Sequence, residues 1–195
     1  MKNIYVDCDE VLLNSAKTCA DFLQDQYGVL VDKSKYPSDW DLSQSGFKDY
    51  HEAVCAFLKT DKFAQIPAMP EAIQGIQMLK EQGYSLFVVT SISDDAAIIK
   101  KRKQNICDLF GSTMFESITC LPMKIDNKGE FYSSVPTGLV VDDGFYNLLT
   151  AQKHGHEVIL MATEQNPHMQ QMAKEQKIPI YHSLIQVAQF LKDKK

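Results

Sequence analysis

Residues 6–12 read VDCDEVL (Val6, Asp7, Cys8, Asp9, Glu10, Val11, Leu12), and the fold turns on how that run is understood. Ile4, Tyr5 and Val6 are apolar, and the acids Asp7, Asp9 and Glu10 arrive without transition. A short buried strand has this form when it delivers polar side chains at its carboxyl end. Outward along the chain the same change recurs. Residues 85–89 run into Thr90 and Ser91, and residues 138–141 run into Asp142 and Asp143. Further strands are expected at 117–121, 157–161 and 178–181, with helices at 70–82, 94–110, 145–154, 165–177 and 184–192, several closed by Gly83, Gly111 or Gly155. Alternating apolar strands and helices predict an α/β fold, a doubly wound, Rossmann-like parallel sheet covered on both faces.

One connection is too long for a simple crossover, because residues 10–84 separate the first two strands. Within it, Ala16, Cys19, Ala20, Phe22 and Leu23 form one apolar helical stripe over 15–27. Phe47, Tyr50, Val54, Phe57 and Leu58 form another over 47–58. The expected organisation is a catalytic core of residues 1–14 and 66–195 with a helical cap at 15–65. The cap would lie over the carboxyl edge of the sheet, where open α/β folds bind ligands.

Composition narrows the function. The 195 residues carry 20 Lys and Arg against 25 Asp and Glu, a net charge of −5, which argues against a nucleic-acid polymer or an anionic membrane surface as partner. Arg102 is the sole arginine, so an anion site is expected to use lysine, amides, hydroxyls or a metal. The acids within the first ten residues leave no apolar run for a secretory signal, and the chain reads as cytoplasmic. The five cysteines lack C-x-x-C spacing and read as reduced thiols; Cys8, facing away from the acids beside it, reads as packing.

If the strands are parallel, Asp7, Asp9, Thr90, Ser91, Asp142 and Asp143 share one edge of the sheet. Like charges about 4 Å apart cost roughly 4 kcal/mol at an effective dielectric near 20, so carboxylates gathered there require a cation. Oxygen donors without His or Cys favour Mg²⁺, which shares its coordination sphere with a substrate phosphate.

VDCDEVL, the strand FVVTS (87–91), a downstream lysine and LVVDD (139–143) resemble the four ordered motifs of the haloacid dehalogenase superfamily of phosphotransferases, with a helical insertion where that superfamily has its cap. YPSDWDL (36–42) and IPAMPEAIQGIQML (66–79) look like its 5′(3′)-deoxyribonucleotidase branch and bacterial relatives. The resemblance implies Asp7 as nucleophile forming an aspartyl-phosphate, and Asp9 as general acid and base. It implies Thr90 as a phosphate hydrogen-bond donor, and amides of the Ser91–Ile92 segment completing the anion cradle. Mg²⁺ would be held by Asp7, the Asp9 carbonyl, Asp142 and Asp143. The motif lysine is Lys128, with Lys124 as its rival; a β-hairpin over IDNKGEFY would instead leave Lys128 as a solvated turn residue. Glu10 stands where relatives have Gly, and Gly144 where they tend to have Arg. Trp40, in a polar loop, is the expected substrate-binding aromatic, with Tyr36 and Phe63 as further candidates; Phe47 and Tyr50 are candidates too, but their helical register reads first as the cap's own core. The expected activity is Mg²⁺-dependent hydrolysis of a small phosphate ester, foremost a nucleoside monophosphate. The alternatives are a sugar-phosphate or other small-molecule phosphatase, or a non-catalytic phosphate-binding or phospho-switch protein.

Overall fold

A computed structural model describes residues 2–123 and 127–194. Six strands form one all-parallel sheet in the order β3-β2-β1-β4-β5-β6. They are β1 (Asn3–Val6), β2 (Ser85–Ser91), β3 (Ser117–Leu121), β4 (Leu139–Asp142), β5 (Glu157–Met161) and β6 (Ile180–Tyr181). Alternate residues of each strand enter opposite cores. Ile4, Val6, Leu86, Val88, Leu139, Val141 and Ile159 face one cluster, and Tyr5, Val89, Val140, Val158 and Leu160 face the other. This period of two, with apolar residues on both sides, is what a strand between two helical layers requires.

The first layer contains α3 (Ala72–Glu81), α4 (Ala96–Phe110) and α8 (Leu184–Asp193); the second contains α5 (Asn127–Ser134), α6 (Phe145–Lys153) and α7 (Pro167–Glu175). Gly75 lets α3 approach α8 closely: a Cβ there would lie 2.5 Å from the Cβ of Leu184. Residues 127–134 are helical, so the hairpin reading of this stretch does not hold and Lys128 lies in the first turn of α5. Lys124 is outside the described residues. No helix among the described residues is long and apolar enough to cross a membrane.

The long connection holds α1 (Ser15–Tyr27), α2 (Tyr50–Phe57) and two short 3₁₀ turns. Phe22, Leu23, Phe57 and Phe63 belong to the same apolar cluster as Ile4 and Val88, so this segment and the first layer share one continuous core. It leaves and rejoins the sheet side by side. Leu13 and Ala68 pair in an antiparallel bridge, with Asn14 N donating to Pro67 O at 2.9 Å and Met69 N to Leu12 O at 2.8 Å.

Candidate active site

Strand order reverses direction between β1 and β4, and a cavity of about 780 Å³ opens there, at the carboxyl ends of the strands. Asp7 extends β1, its amide donating to Val141 O at 2.9 Å, and Asp142 ends β4. Each of Asp7, Asp142 and Asp143 is buried, and oxygens from all three lie within 4.8 Å of one another.

Lys128 joins two of them. Its Nζ lies 2.8 Å from Asp7 Oδ1 and 2.7 Å from Asp142 Oδ2. Burial alone would weaken its charge, but the Asp142 and Asp7 carboxylates hold its pKa well above the ordinary lysine value. Asp142 is fully engaged, because its Oδ1 also accepts from Gly144 N at 2.8 Å and Asn147 Nδ2 at 2.9 Å. Gly144 leaves room for these bonds: a Cβ would come 2.8 Å from Asn147 Nδ2 and 3.0 Å from Asp142 Oδ1 and would push the Asn147 amide aside. The Asp143 side chain has no hydrogen bond or ion pair among the described residues. Its pKa is raised well above the carboxylate range by burial and then by Asp142 and Asp7. Burial, then Asp142, pushes Asp7 up to about 7 against the pull of Lys128.

With all three ionised, the carboxylates and one ammonium would leave two negative charges without a counter-charge in a buried, oxygen-only cluster, which is why Asp7 and Asp143 hold their protons more tightly than usual. A hard dication such as Mg²⁺ fits both the donor set and the charge.

Asp9 turns its side chain toward a different set of partners. Its Oδ1 accepts from Arg102 Nη2 at 2.8 Å and from Ser15 Oγ. Glu10 adopts φ 59°, the left-handed region where Gly is at ease, and its carboxylate accepts from Ala16 N at 2.7 Å at the start of α1. Burial pushes the Glu10 carboxyl up to about 7.

Ser91 and Ile92 line the cavity, whereas Thr90 is fully buried behind the wall with an Oγ1 that has no partner among the described residues. Trp40 does not reach the cavity. It is packed in the first core edge-on to Tyr50, and the aromatics at the wall are Tyr36, Tyr50, Phe57 and, near the mouth, the exposed Tyr146. Phe63 is buried, and Phe47 packs against Tyr27. Cys8 is buried in the first core, as read from its position between the acids.

Sequence reasoning missed Arg102 and Asn147. Arg102 and Asn105 occupy the helical stripe of Ile98, Ile106 and Phe110, and polar residues on an apolar stripe are the signal that points to buried partners. Asn147 gives no such signal, since an Asn in the first turn of a helix is ordinary.

No family model and no curated protein matches the sequence. Solved structures do match. A haloacid dehalogenase-like hydrolase from Streptococcus pneumoniae shares 16% identity over 98% of both chains, with a TM-score of 0.68. The fold is that of the haloacid dehalogenase-like hydrolases. A putative β-phosphoglucomutase from Thermotoga maritima carries it at 15% identity over 99% of both chains and a TM-score of 0.66. A D,D-heptose 1,7-bisphosphate phosphatase from B. bronchiseptica, solved with magnesium and phosphate, carries it at 19% identity over the whole of both chains and a TM-score of 0.59. Within the haloacid dehalogenase fold, Asp7, Asp142 and Asp143 sit on the strand ends that face the switch-point cavity.

Proposed function

We propose that the protein is a divalent-metal-dependent phosphomonoesterase acting on a small phosphorylated metabolite. The observation that carries this reading is Lys128, held between Asp7 and Asp142 at the switch point beside Asp143, whose carboxylate has no partner among the described residues.

Asp7 Oδ2 makes no hydrogen bond among the described residues and is the oxygen free to attack phosphorus. As the new O–P bond forms, the bond to the ester oxygen breaks, leaving an aspartyl-phosphate. Asp9 gives its proton to the departing alkoxide, then takes one from the water that cleaves the acyl-phosphate and restores Asp7. Lys128 balances charge on Asp7 and the phosphoryl oxygens. Amides of the Ser91–Ile92 segment at the cavity wall serve as phosphate donors, and Thr90 Oγ1, a buried hydroxyl with no partner among the described residues, would join them only if the wall moves to admit the phosphate. Asp7, the Asp9 carbonyl and Asp143 would hold Mg²⁺, with Asp142, already saturated, fixing Lys128 and the turn at Gly144. Held by these residues, Mg²⁺ would supply neutralisation of the carboxylates and of charge developing on the phosphoryl oxygens.

Residues 15–65 act as the cap over this cavity, on a core of 1–14 and 66–195. Tyr36, Tyr50 and Phe57 supply an aromatic wall for the organic part of the substrate, and the volume is of the size that holds a metabolite. A sugar phosphate fits this wall, since sugars stack on aromatic faces. A nucleoside monophosphate is the second reading, favoured by Tyr146 standing 65% exposed at the mouth, where a flat base can lie.

A panel of sugar phosphates, nucleoside monophosphates and simple phosphomonoesters, incubated with Mg²⁺ beside an Asp7→Asn control, tests the proposal. Phosphate release that disappears in the control is expected. Release from no ester, or release that survives Asp7→Asn, overturns the reading.

A further inference from the structure

Arg102 is the one arginine of the chain, and it is placed at the middle of α4 with its side chain 2% exposed. A guanidinium withdrawn from water must find partners for a fixed fork of donors. Nη2 donates to Asp9 Oδ1 at 2.8 Å and Nη1 to Cys8 Sγ at 3.3 Å. The Cζ atom lies 4.7 Å from the centre of the Phe63 ring, while Nε has no partner among the described residues. A buried ion pair of this kind adds little stability over an apolar pair of the same volume, so its consequence is geometric.

That geometry is one-sided. Both donors to the Asp9 side chain, Arg102 Nη2 and Ser15 Oγ, reach Oδ1. Oδ2 has no partner among the described residues, and the Asp9 side chain is 35% exposed at the cavity wall. Position of the guanidinium is fixed from the other side as well. Phe63 covers it from the inserted segment, and its neighbours on α4 grip the returning chain: Lys101 Nζ donates to Lys59 O at 3.0 Å and Thr60 O at 3.1 Å, and Asn105 Nδ2 to Ile66 O at 3.1 Å. A lysine at 102 would keep the charge but not a planar fork able to meet Asp9 and Cys8 together while stacking on a ring.

We propose that Arg102 is the positioning residue for Asp9, holding Oδ1 so that Oδ2 faces the leaving group of the substrate. The assignment rests on the phosphomonoesterase reading above, in which Oδ2–H gives its proton to the ester oxygen as the P–O bond breaks. Arg102 itself touches no reacting atom. Its loss should therefore matter in proportion to how much the leaving group needs a proton.

The test compares an alkyl ester, glycerol 2-phosphate, with an aryl ester, p-nitrophenyl phosphate, whose anion departs without protonation. The quantity is kcat/KM, which reports formation of the aspartyl-phosphate alone. Arg102→Met is expected to lower it roughly 10- to 100-fold for the alkyl ester, part of the roughly 10²- to 10⁴-fold that a general acid contributes, and only a few-fold for the aryl ester. In an Asp9→Asn background the same substitution should add nothing for the alkyl ester, because the two residues act as one unit. Arg102→Lys should recover part of the alkyl loss; if the Met variant does not fold, the Lys variant carries the same two comparisons. Equal losses on both esters, or losses that multiply with Asp9→Asn, overturn the role of Arg102 while leaving the phosphomonoesterase reading intact. A wild-type protein inert toward both esters and the wider panel overturns both.

Discussion

Lys128 sits where burial alone would strip its charge, and it stays an ammonium because Asp142 and Asp7 raise its pKa. Removing that charge leaves three buried carboxylates with no cation. Lys128→Met is expected to lower phosphatase turnover by roughly 10²- to 10³-fold, the range seen when a preorganised electrostatic donor is lost. It should also destabilise the metal-free protein by up to about 3–5 kcal/mol at pH 8, and by less at pH 5, where Asp7 takes up a proton. Phosphate release assays and urea unfolding at the two pH values check this; unchanged turnover would remove Lys128 from the site. At this scale the acids were legible because a buried strand has few reasons to end in carboxylates. Arg102 was masked, since the run Lys100, Lys101, Arg102, Lys103 has the composition of a solvated helix face and outweighs its place on the stripe of Ile98 and Ile106. What makes Arg102 different from its neighbours is the pair Asp9 and Phe63, which chain distance hides.

Elements were legible to the extent that one local signal governed them. β3 and β5 begin and end where apolar runs do, at Ser117–Leu121 and Glu157–Met161. Residues 125–132 carried two compatible signals, a turn-like Asp-Asn-Lys-Gly and a helical continuation. The helix forms because it buries Tyr132 against Tyr5 and His156, contacts that exist only after β1 and β5 have both joined β4. The second helix of the insertion is shorter than its apolar stripe, starting at Tyr50 where the Asp49 side chain accepts from Glu52 N at 2.9 Å. Helix against helix, the tightest constraint is Gly75. Gly75→Ala would force the backbone of α8 aside and is expected to cost about 1–3 kcal/mol by overpacking, despite the better helix propensity of Ala. A lowered thermal midpoint measures it; a raised one would show that α3 and α8 can separate freely.

For the whole molecule, the acid cluster makes stability depend on pH and on divalent cations. Asp7 titrates at about 7 in the folded protein against the ordinary value of 3.8, so between those values the folded state binds more protons than the unfolded chain. The contribution of Asp7 to the stability of the metal-free protein is therefore fully present below the ordinary carboxylate range and is lost as pH rises through about 7; Asp143, also raised, acts in the same sense. Thermal melts in a chelator should show this decline, and Mg²⁺ should reduce it. Asp143→Asn removes one of the repelling charges and is expected to raise the metal-free midpoint by a few degrees, about 2–4 °C per kcal/mol for a chain of this size, while abolishing the rise produced by Mg²⁺. A chelated wild type as stable at pH 8 as at pH 5 would contradict the arrangement of charges.

The sheet order also sets a schedule for assembly. The strand that delivers Asp7 precedes the others, yet Asn3 pairs with Ser85 and Ile4 with Leu139, partners 82 and 135 residues further along the chain. Parallel pairings over such distances close late, because loop entropy must be met before contacts offset it. Asp7, Asp142 and Asp143 come together only when β1 has found β4, and the expectation is a folding transition state without a complete carboxylate cluster to offer a cation. Mg²⁺ is expected to slow unfolding several-fold while leaving the refolding rate nearly unchanged, as for any interaction absent from the transition state.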